Sequence, residues 1–386
     1  MRFSLLLFLF HCAILNVQSF GQELWGVANS NYSGAMGHDL NPAAIVGTPF
    51  NWELHVLSVD ASLMNNYMYL QRNSKAFAFA EVINNYRHSQ VFKSGLSNEG
   101  VNEEDFKIKY LSNDKSTNLN LAAKWPSFMV SNKKWGLGFH VSTRMALSAT
   151  GIPYHLANFM REGFDFKDQQ HINYTIENMD IVAMNWQEAG ITAGMTLLRT
   201  PSSYLTGGIT LNYLYGLNGL FVNLENVNYF VPADTLWEID LASLEYGYDV
   251  ADDGSKTLQK NGDGFSTSIG VQYLHNRNDA AYENCISGQH LKKYDYKIGF
   301  SIIDIGWINF NRHPTTFRLN DFATSWYGID TIRLTGIHNA DSILNNQLFG
   351  PILSGRSHES FNLWMPAAAS LQFDYAFMPS FYLNFS

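Results

Sequence analysis

From Trp135 the chain alternates without a break. Trp135, Leu137, Phe139, Val141, Thr143 and Met145 stand on one parity, and Gly136, Gly138, His140, Ser142 and Arg144 on the other. A period of two places successive side chains on opposite faces of a β-strand, so this segment reads as a strand with one apolar and one polar face. The same rhythm returns along the chain. It predicts strands at about 51–64 (Trp52, Leu54, Val56), 118–129 (Leu119, Leu121, Ala123, Trp125), 182–198 (Ala189, Ile191, Ala193, Met195, Leu197) and 203–216 (Leu205, Ile209, Leu211, Tyr213, Tyr215). Further strands are predicted at 264–275, 293–310 and 364–377, and a ninth starts at Phe381. In 293–310 the apolar phase moves from Tyr294, Tyr296, Ile298 and Phe300 to Ile303, Ile305 and Trp307, which predicts a β-bulge near Ile302.

The connections alternate in length. Those at 65–117, 148–181, 217–263 and 311–363 are long, those at 130–134, 199–202 and 378–380 are short, and 276–292 is intermediate. Long loops at one end and tight turns at the other are what an antiparallel barrel spanning a membrane requires, and a β-sandwich has no reason for them. Composition agrees. Charged residues make up 15% of the 386 residues and aromatic residues another 15%, against roughly 25% charged in soluble domains. No apolar run beyond the N-terminus reaches the ~18 residues of a membrane helix. The expected fold is therefore all-β: an antiparallel transmembrane β-barrel with an N-terminal hatch and short loop helices, incomplete at the C-terminus. The incompleteness follows from an odd strand count and from a last strand, Phe381 to Ser386, shorter than the nine to eleven residues needed to span.

Three parts are expected. Residues 1–21 have the layout of a secretory signal peptide: Arg2, an apolar run from Leu5 to Leu15, then Ser19 and Gly21. Residues 22–50 are small and polar and form the hatch, with Asn41 as cap and Pro42 at the first helical position of a short helix. Residues 51–386 form the barrel. The loop segments 153–164 and 337–349 are expected to be helical. With Cys12 inside the signal, Cys285 is the one cysteine left, which excludes an intrachain disulfide.

On this reading Trp125, Trp135, Tyr273, Tyr294, Tyr375, Phe377 and Phe381 form an aromatic girdle at the periplasmic rim. Lys124, His140, Arg144, Gln272 and Asp374 lie on the polar parity and face the lumen, most simply as wetted lumen residues. No phosphate loop, nucleophile elbow or metal-binding helix is present, so no catalytic residue, metal or cofactor is assigned and the chain is not expected to be an enzyme. The acidic, glycine-rich stretch from Asp249 to Asp263 does not have the spacing of a calcium loop and reads as a solvated loop. A net charge of −9 argues against a nucleic-acid partner.

Asn31-Tyr32-Ser33-Gly34, Asn41-Pro42-Ala43 and the segment from Trp52 to Tyr69, with the late hairpin Met365 to Tyr375 and Phe381 to Asn384, resemble a family of uncharacterised outer-membrane barrels, a domain of unknown function from gliding, type IX-secreting Gram-negative bacteria. The layout with its Asn-Pro-Ala hatch is also similar to long-chain fatty-acid transporters. The resemblance implies an outer-membrane location in contact with lipid and fixes no binding residue. Three functions follow as expectations. The leading one is a passive transporter or channel for a small or hydrophobic ligand, with an apolar pocket beside the hatch. The alternatives are a non-transporting scaffold among the proteins of a secretion or adhesion complex, and a soluble secreted β-sandwich binding protein.

Overall fold

The computed structural model describes residues 33–70, 106–109, 113–250, 259–276, 282–284, 290–292, 294–332, 337–346, 356–378 and 381–386. The signal segment, Cys12, Cys285 and most of the connection after Leu70 lie outside these residues.

The chain is predominantly antiparallel β. Among the described residues, nine strands follow one another in sequence and in space. They are β1 (Trp52–His55, continued by Ser58–Asn65), β2 (Lys115–Lys124 and Ser127–Ser131), β3 (Trp135–Ile152), β4 (Asn173–Arg199) and β5 (Ser203–Ala233). Next come β6 (Leu236–Asp249 and Gly262–His275), β7 (Tyr296–Phe310 and Thr315–Tyr327), β8 (Arg356–Ser357, Phe361–Trp364 and Ala368–Met378) and β9 (Phe381–Phe385). Each pairs with the next, and β1 and β9 are the two edges of the path. Short ribbons pair Met68–Leu70 with Phe106–Ile108 and Tyr282–Asn284 with His290–Lys292.

Several strands run far past their expected ends. β4 and β5 form a hairpin in register from Asn173↔Phe230 to Arg199↔Tyr204. β5 pairs with Gly262–His275 over its first half and with Leu236–Asp249 over its second. Thr315–Tyr327 in turn pairs with Leu236–Asp249. Large parts of 148–181, 217–263 and 311–363, expected as loops, are thus strand continuations that build an upper tier on a lower one.

The two expected loop helices are present as α1 (Tyr154–Glu162) and α2 (Ile337–Leu344). α1 packs Phe159, with Phe164 just beyond it, against Ile176, Val227, Tyr229 and Val231, the buried face of the upper tier. α2 is tied down at Asp341, whose carboxylate accepts from the hydroxyls of Tyr246 (2.7 Å) and Tyr248 (3.0 Å) and from Arg356 (3.3 Å). Burial, reinforced by that carboxylate, raises the pKa of both tyrosines.

The lower tier curls. The Arg144 guanidinium on β3 lies 2.9 Å from the Asp304 carboxylate on β7. Four strand spacings separate them, roughly 19 Å in a flat sheet, beyond the reach of any side chain. Only a sheet bent round toward itself brings them together.

Candidate functional site

The concave face of the lower tier is filled by the hatch. Three short helical turns, Gly34–Met36, Gly37–Leu40 and Pro42–Ile45, lie against it. The Asn41 side chain caps the last of them by accepting from the Ala43 N–H at 3.0 Å. Its amide then donates to Gln372 Oε1 on β8 (2.9 Å) and to the Val271 carbonyl on β6 (3.1 Å). Ser301 of β7 donates to the Leu40 carbonyl, Thr206 of β5 to that of Ala43, and Ser131 of β2 to that of Ile45. The hatch backbone is thereby satisfied by side chains from around the sheet, as a buried irregular segment requires.

Glycines on the polar parity make the room. A Cβ on Gly208 would overlap the Pro42 carbonyl, one on Gly136 would meet the Ile45 carbonyl oxygen, and one on Gly194 would press into Val46 and Ile45. A hatch this close to the strand backbone requires residues without side chains at these points. From β1, whose Ser58 reaches Met36, to β8, eight consecutive strands touch the hatch.

Above the hatch lies a cavity of about 170 Å³. Charged groups line it in two pairings. Lys124 holds Asp39 (2.7 Å) and donates to the Ala35 carbonyl. Arg144 bridges Glu188 (3.4 Å) and Asp304 (2.9 Å) and lies over the Trp186 ring at 5.1 Å. Glu188 also accepts from Ser142 and from the Trp186 indole. His38 and His140 approach to 3.4 Å between ring nitrogens. A dry layer follows: Met184, Trp186, Leu214, Ile308, Phe310, Phe361, Leu363 and Met365 pack together. The interior is therefore occupied at two heights. The space beside the hatch, where an apolar pocket was expected, mixes charged and polar groups with the apolar side chains of Met36, Leu40, Ala122 and Ile303, and the apolar groups above it are packed against one another.

The expected lumen residues Lys124, His140, Gln272 and Asp374 are all buried on the concave face, and Arg144 is partly buried beside them. Only Lys124, His140 and Arg144 share the cavity. Gln372, next to Asp374 on the same parity, holds the hatch. Asp374 lies lower, with Lys297 at 3.2 Å and the Tyr294 hydroxyl at 2.5 Å.

Of the girdle residues, Trp125, Trp135, Tyr375, Phe377 and Phe381 are exposed on the convex face and Tyr273 is half-exposed there. Tyr294 is not. It precedes the first residue of β7, so the strand's alternation does not govern it, and it turns inward at 3% exposure to bind Asp374. Trp125 also stands away from the turn at 132–134. Its backbone N–H donates to the Val141 carbonyl, six residues up β3 from Trp135.

Two features escaped the sequence reading. Glu188 and Asp304 hold Arg144 in a brace across the concave face, and Asp304 sits in the predicted bulge. The register steps from Thr267↔Ile305 to Ile269↔Ile302, and Asp304 has φ 57°, the left-handed region that Asp tolerates better than branched residues. The second feature is an upper aromatic row, Tyr213↔Phe265↔Trp307↔Trp364, on four neighbouring strands and exposed on the convex face. It lies eight residues along β6 from Tyr273, about 27 Å of strand at ~3.4 Å per residue. Ile209, Leu211, Ile269, Val271, Ile298 and Phe300, all exposed, fill the band between.

Asp249, at one end of the acidic stretch, is buried and accepts from the backbone N–H groups of Arg312 and His313. Asp263, at the other end, pairs with Lys260. Among the described residues no group of three or more His, Cys, Asp or Glu is placed to hold a metal.

Residues 42–386 match DUF5723, a family of unknown function. The chain belongs to this family. The DUF5723 match starts at Pro42, inside the hatch, and runs through β9, so the last hatch turn and both tiers fall within it, while Met36, His38, Asp39 and Leu40 of the cavity wall precede it. No curated protein and no solved structure matches the chain.

Proposed function

We propose that this DUF5723 protein is an outer-membrane β-barrel with a plugged lumen, serving as an anchor and docking platform in a surface complex. The observation that carries the membrane part is the inverted polarity of the lower tier. Large apolar side chains such as Leu211, Phe265 and Trp364 are exposed on the convex side, while Thr192, Thr206, Ser266 and Gln372 are buried on the concave side. In water that arrangement would expose far more apolar surface than a soluble protein tolerates. In lipid it is the stable one. Two aromatic rows bounding an apolar band match the girdles of such barrels.

The scaffold role is favoured over an open channel because the lumen is blocked twice, by the hatch and by the Trp186 layer. The upper tier then offers a rigid sheet beyond the upper aromatic row. A second reading, a gated route for a small solute, rests on the cavity beside the hatch. Its lining, charged groups beside Met36, Leu40, Ala122 and Ile303, suits a solute with both a polar and an apolar part.

Expression in a Gram-negative host, membrane fractionation and gel mobility with and without heating test the first part. The protein should band with the outer membrane and migrate faster unheated. Recovery in the soluble fraction would overturn it. Crosslinking in native membranes tests the scaffold role, for which the same protein neighbours should be captured repeatedly through upper-tier positions such as Asn228. Flux of small polar solutes through reconstituted vesicles, abolished by locking the hatch, would replace it with the second reading.

A further inference from the structure

We propose that the hatch carries an acid-sensitive latch. Its leading segment, residues 34–39, is held against the wall through the buried pair His38–His140 and comes away on protonation, while residues 40–47 stay anchored.

The two segments are tied to the sheet by different chemistry. The trailing one is held by groups that do not titrate. Ser301 donates to the Leu40 carbonyl, Asn41 to Gln372 and Val271, Thr206 to the Ala43 carbonyl and Ser131 to that of Ile45, and the Gly47 N–H donates to the Asn132 carbonyl. The leading segment meets the wall through His38 on His140, and through Lys124, which bonds Asp39 and the Ala35 carbonyl. Ser58 adds a weak contact to the Met36 sulfur at 3.9 Å.

The histidine pair has no place for an added proton. His38 Nε2 and His140 Nδ1 lie 3.4 Å apart, and the two residues are 2% and 4% exposed. One facing nitrogen donates and the other accepts, whichever carries the hydrogen. His38 Nδ1 is buried without a hydrogen-bond partner among the described residues. Every form with one more proton therefore either sets two N–H groups head to head or leaves His38 Nδ1 a buried N–H with no acceptor. Both are costly inside a fold and cost nothing in water.

The charges around the pair do not absorb another cation. Asp39, on the hatch itself, lies 3.5 Å from His38 but is already held by Lys124 of β2 at 2.7 Å. Arg144 of β3, which lines the cavity with both histidines, is divided between Glu188 of β4 and Asp304 of β7. On β1, Asp60 lines the same cavity and Glu53 lies against Gly34 at the start of the segment. Burial, and after it Lys124, lowers the His38 pKa well below the ordinary imidazole value of ~6.5, against the pull of Asp39. The closed hatch thus keeps His38 neutral, and the open one lets it charge. The latch holds fully above about pH 6.5 and weakens as the pH falls below that. Between pH 7.5 and pH 5.0 opening should become about thirtyfold more favourable for one such histidine. Met36, His38 and Asp39 form one side of the cavity, so the same movement opens it.

The test uses the full chain folded in detergent micelles, with heat-modifiable mobility as the check that each sample is folded. Amide exchange is followed by mass spectrometry at both pH values. It is expressed as protection over an unstructured peptide at the same pH, which removes the intrinsic pH dependence of exchange. Protection of 34–39 should fall about thirtyfold on acidification while that of 43–46 holds. His38→Gln, neutral throughout, should remove the fall. Equal protection of 34–39 at both pH values, a parallel fall in 43–46, or a His38→Gln protein that loosens as much as the wild type overturns the inference. Should His38→Gln fail to fold, the comparison of the two segments in the wild type still decides it. Exchange is read on folded protein in micelles, so its outcome is separate from the fractionation and crosslinking results.

Discussion

The two halves of the β4–β5 hairpin are built on opposite rules. In the lower half the convex side carries Ile191, Met195, Ile209 and Leu211, exposed, and the concave side carries Thr192, Thr206, Thr210 and Asn212, buried. In the upper half Ile176, Val227, Tyr229 and Val231 are buried against α1, while Asn178, Asp180, Glu225 and Asn228 face outward. The strands are continuous and the register nearly unbroken, so backbone pairing cannot cause the reversal. The surroundings of the outer face can. Side chains segregate by the medium they meet, and on the proposed membrane reading the hairpin meets an apolar medium below and water above.

The junction between the halves should be the most sensitive place to break this contrast. Trp186, 1% exposed, joins the dry layer to the Arg144–Glu188 brace. Trp186→Ala should cost ~3–5 kcal/mol, read as a lower guanidinium midpoint for protein folded into vesicles. A loss below 1 kcal/mol would mean that the layer is not packed. The outer faces come next. Leu211→Arg should destabilise vesicle-folded protein by ~2–4 kcal/mol, whereas Asn228→Arg in the upper half should stay within about 0.5 kcal/mol. Equal effects would erase the distinction between the tiers. Within the hatch, Asn41→Ala removes the bonds to Gln372 and Val271 together with the cap, and about 2 kcal/mol is expected. Limited proteolysis should then cut ahead of Asn51, and an uncut hatch would show that Asn41 is not its anchor.

The smallest expected effect belongs to the upper tier alone. His155 on α1 bonds the Tyr229 hydroxyl at 2.5 Å, and burial lowers its pKa. A histidine kept neutral in the fold stabilises it fully above the unfolded value of ~6.5 and progressively less as the pH falls below that. The docking of α1, followed by amide exchange, should loosen between pH 7 and pH 5, and His155→Gln should abolish the dependence. If His155→Gln also held the hatch shut at pH 5, the two tiers would not be independent.

Much of the lower tier was legible because one rule governs it. An apolar convex face and a polar concave face give strict alternation, and Trp135 to Met145 reads off directly. The bulge near Ile302 was visible as a phase change, although the pattern gave no sign that Asp304 uses it to reach Arg144 four strands away. The upper tier was not legible. The register breaks between Asn185 and Trp186, and Asn226 adopts φ 52°, so the parity of the lower tier does not carry upward and long strands resemble loops. The hatch site was half legible. Asn41 and Pro42 announced a capped turn, and glycines such as Gly136, Gly194 and Gly208 stood on the polar parity. That they are the recess into which the turn fits is a three-dimensional fact no spacing encodes.

The central claim is that the lower convex face meets lipid and the upper one meets water. Spin labels at Leu211 and at Asn228, in protein folded into phospholipid bilayers with Cys285 replaced by Ser, test it directly. Relaxation of the Leu211 label should be dominated by oxygen dissolved in the hydrocarbon and that of the Asn228 label by a water-soluble nickel chelate. Two labels that both relax with the chelate would contradict the account.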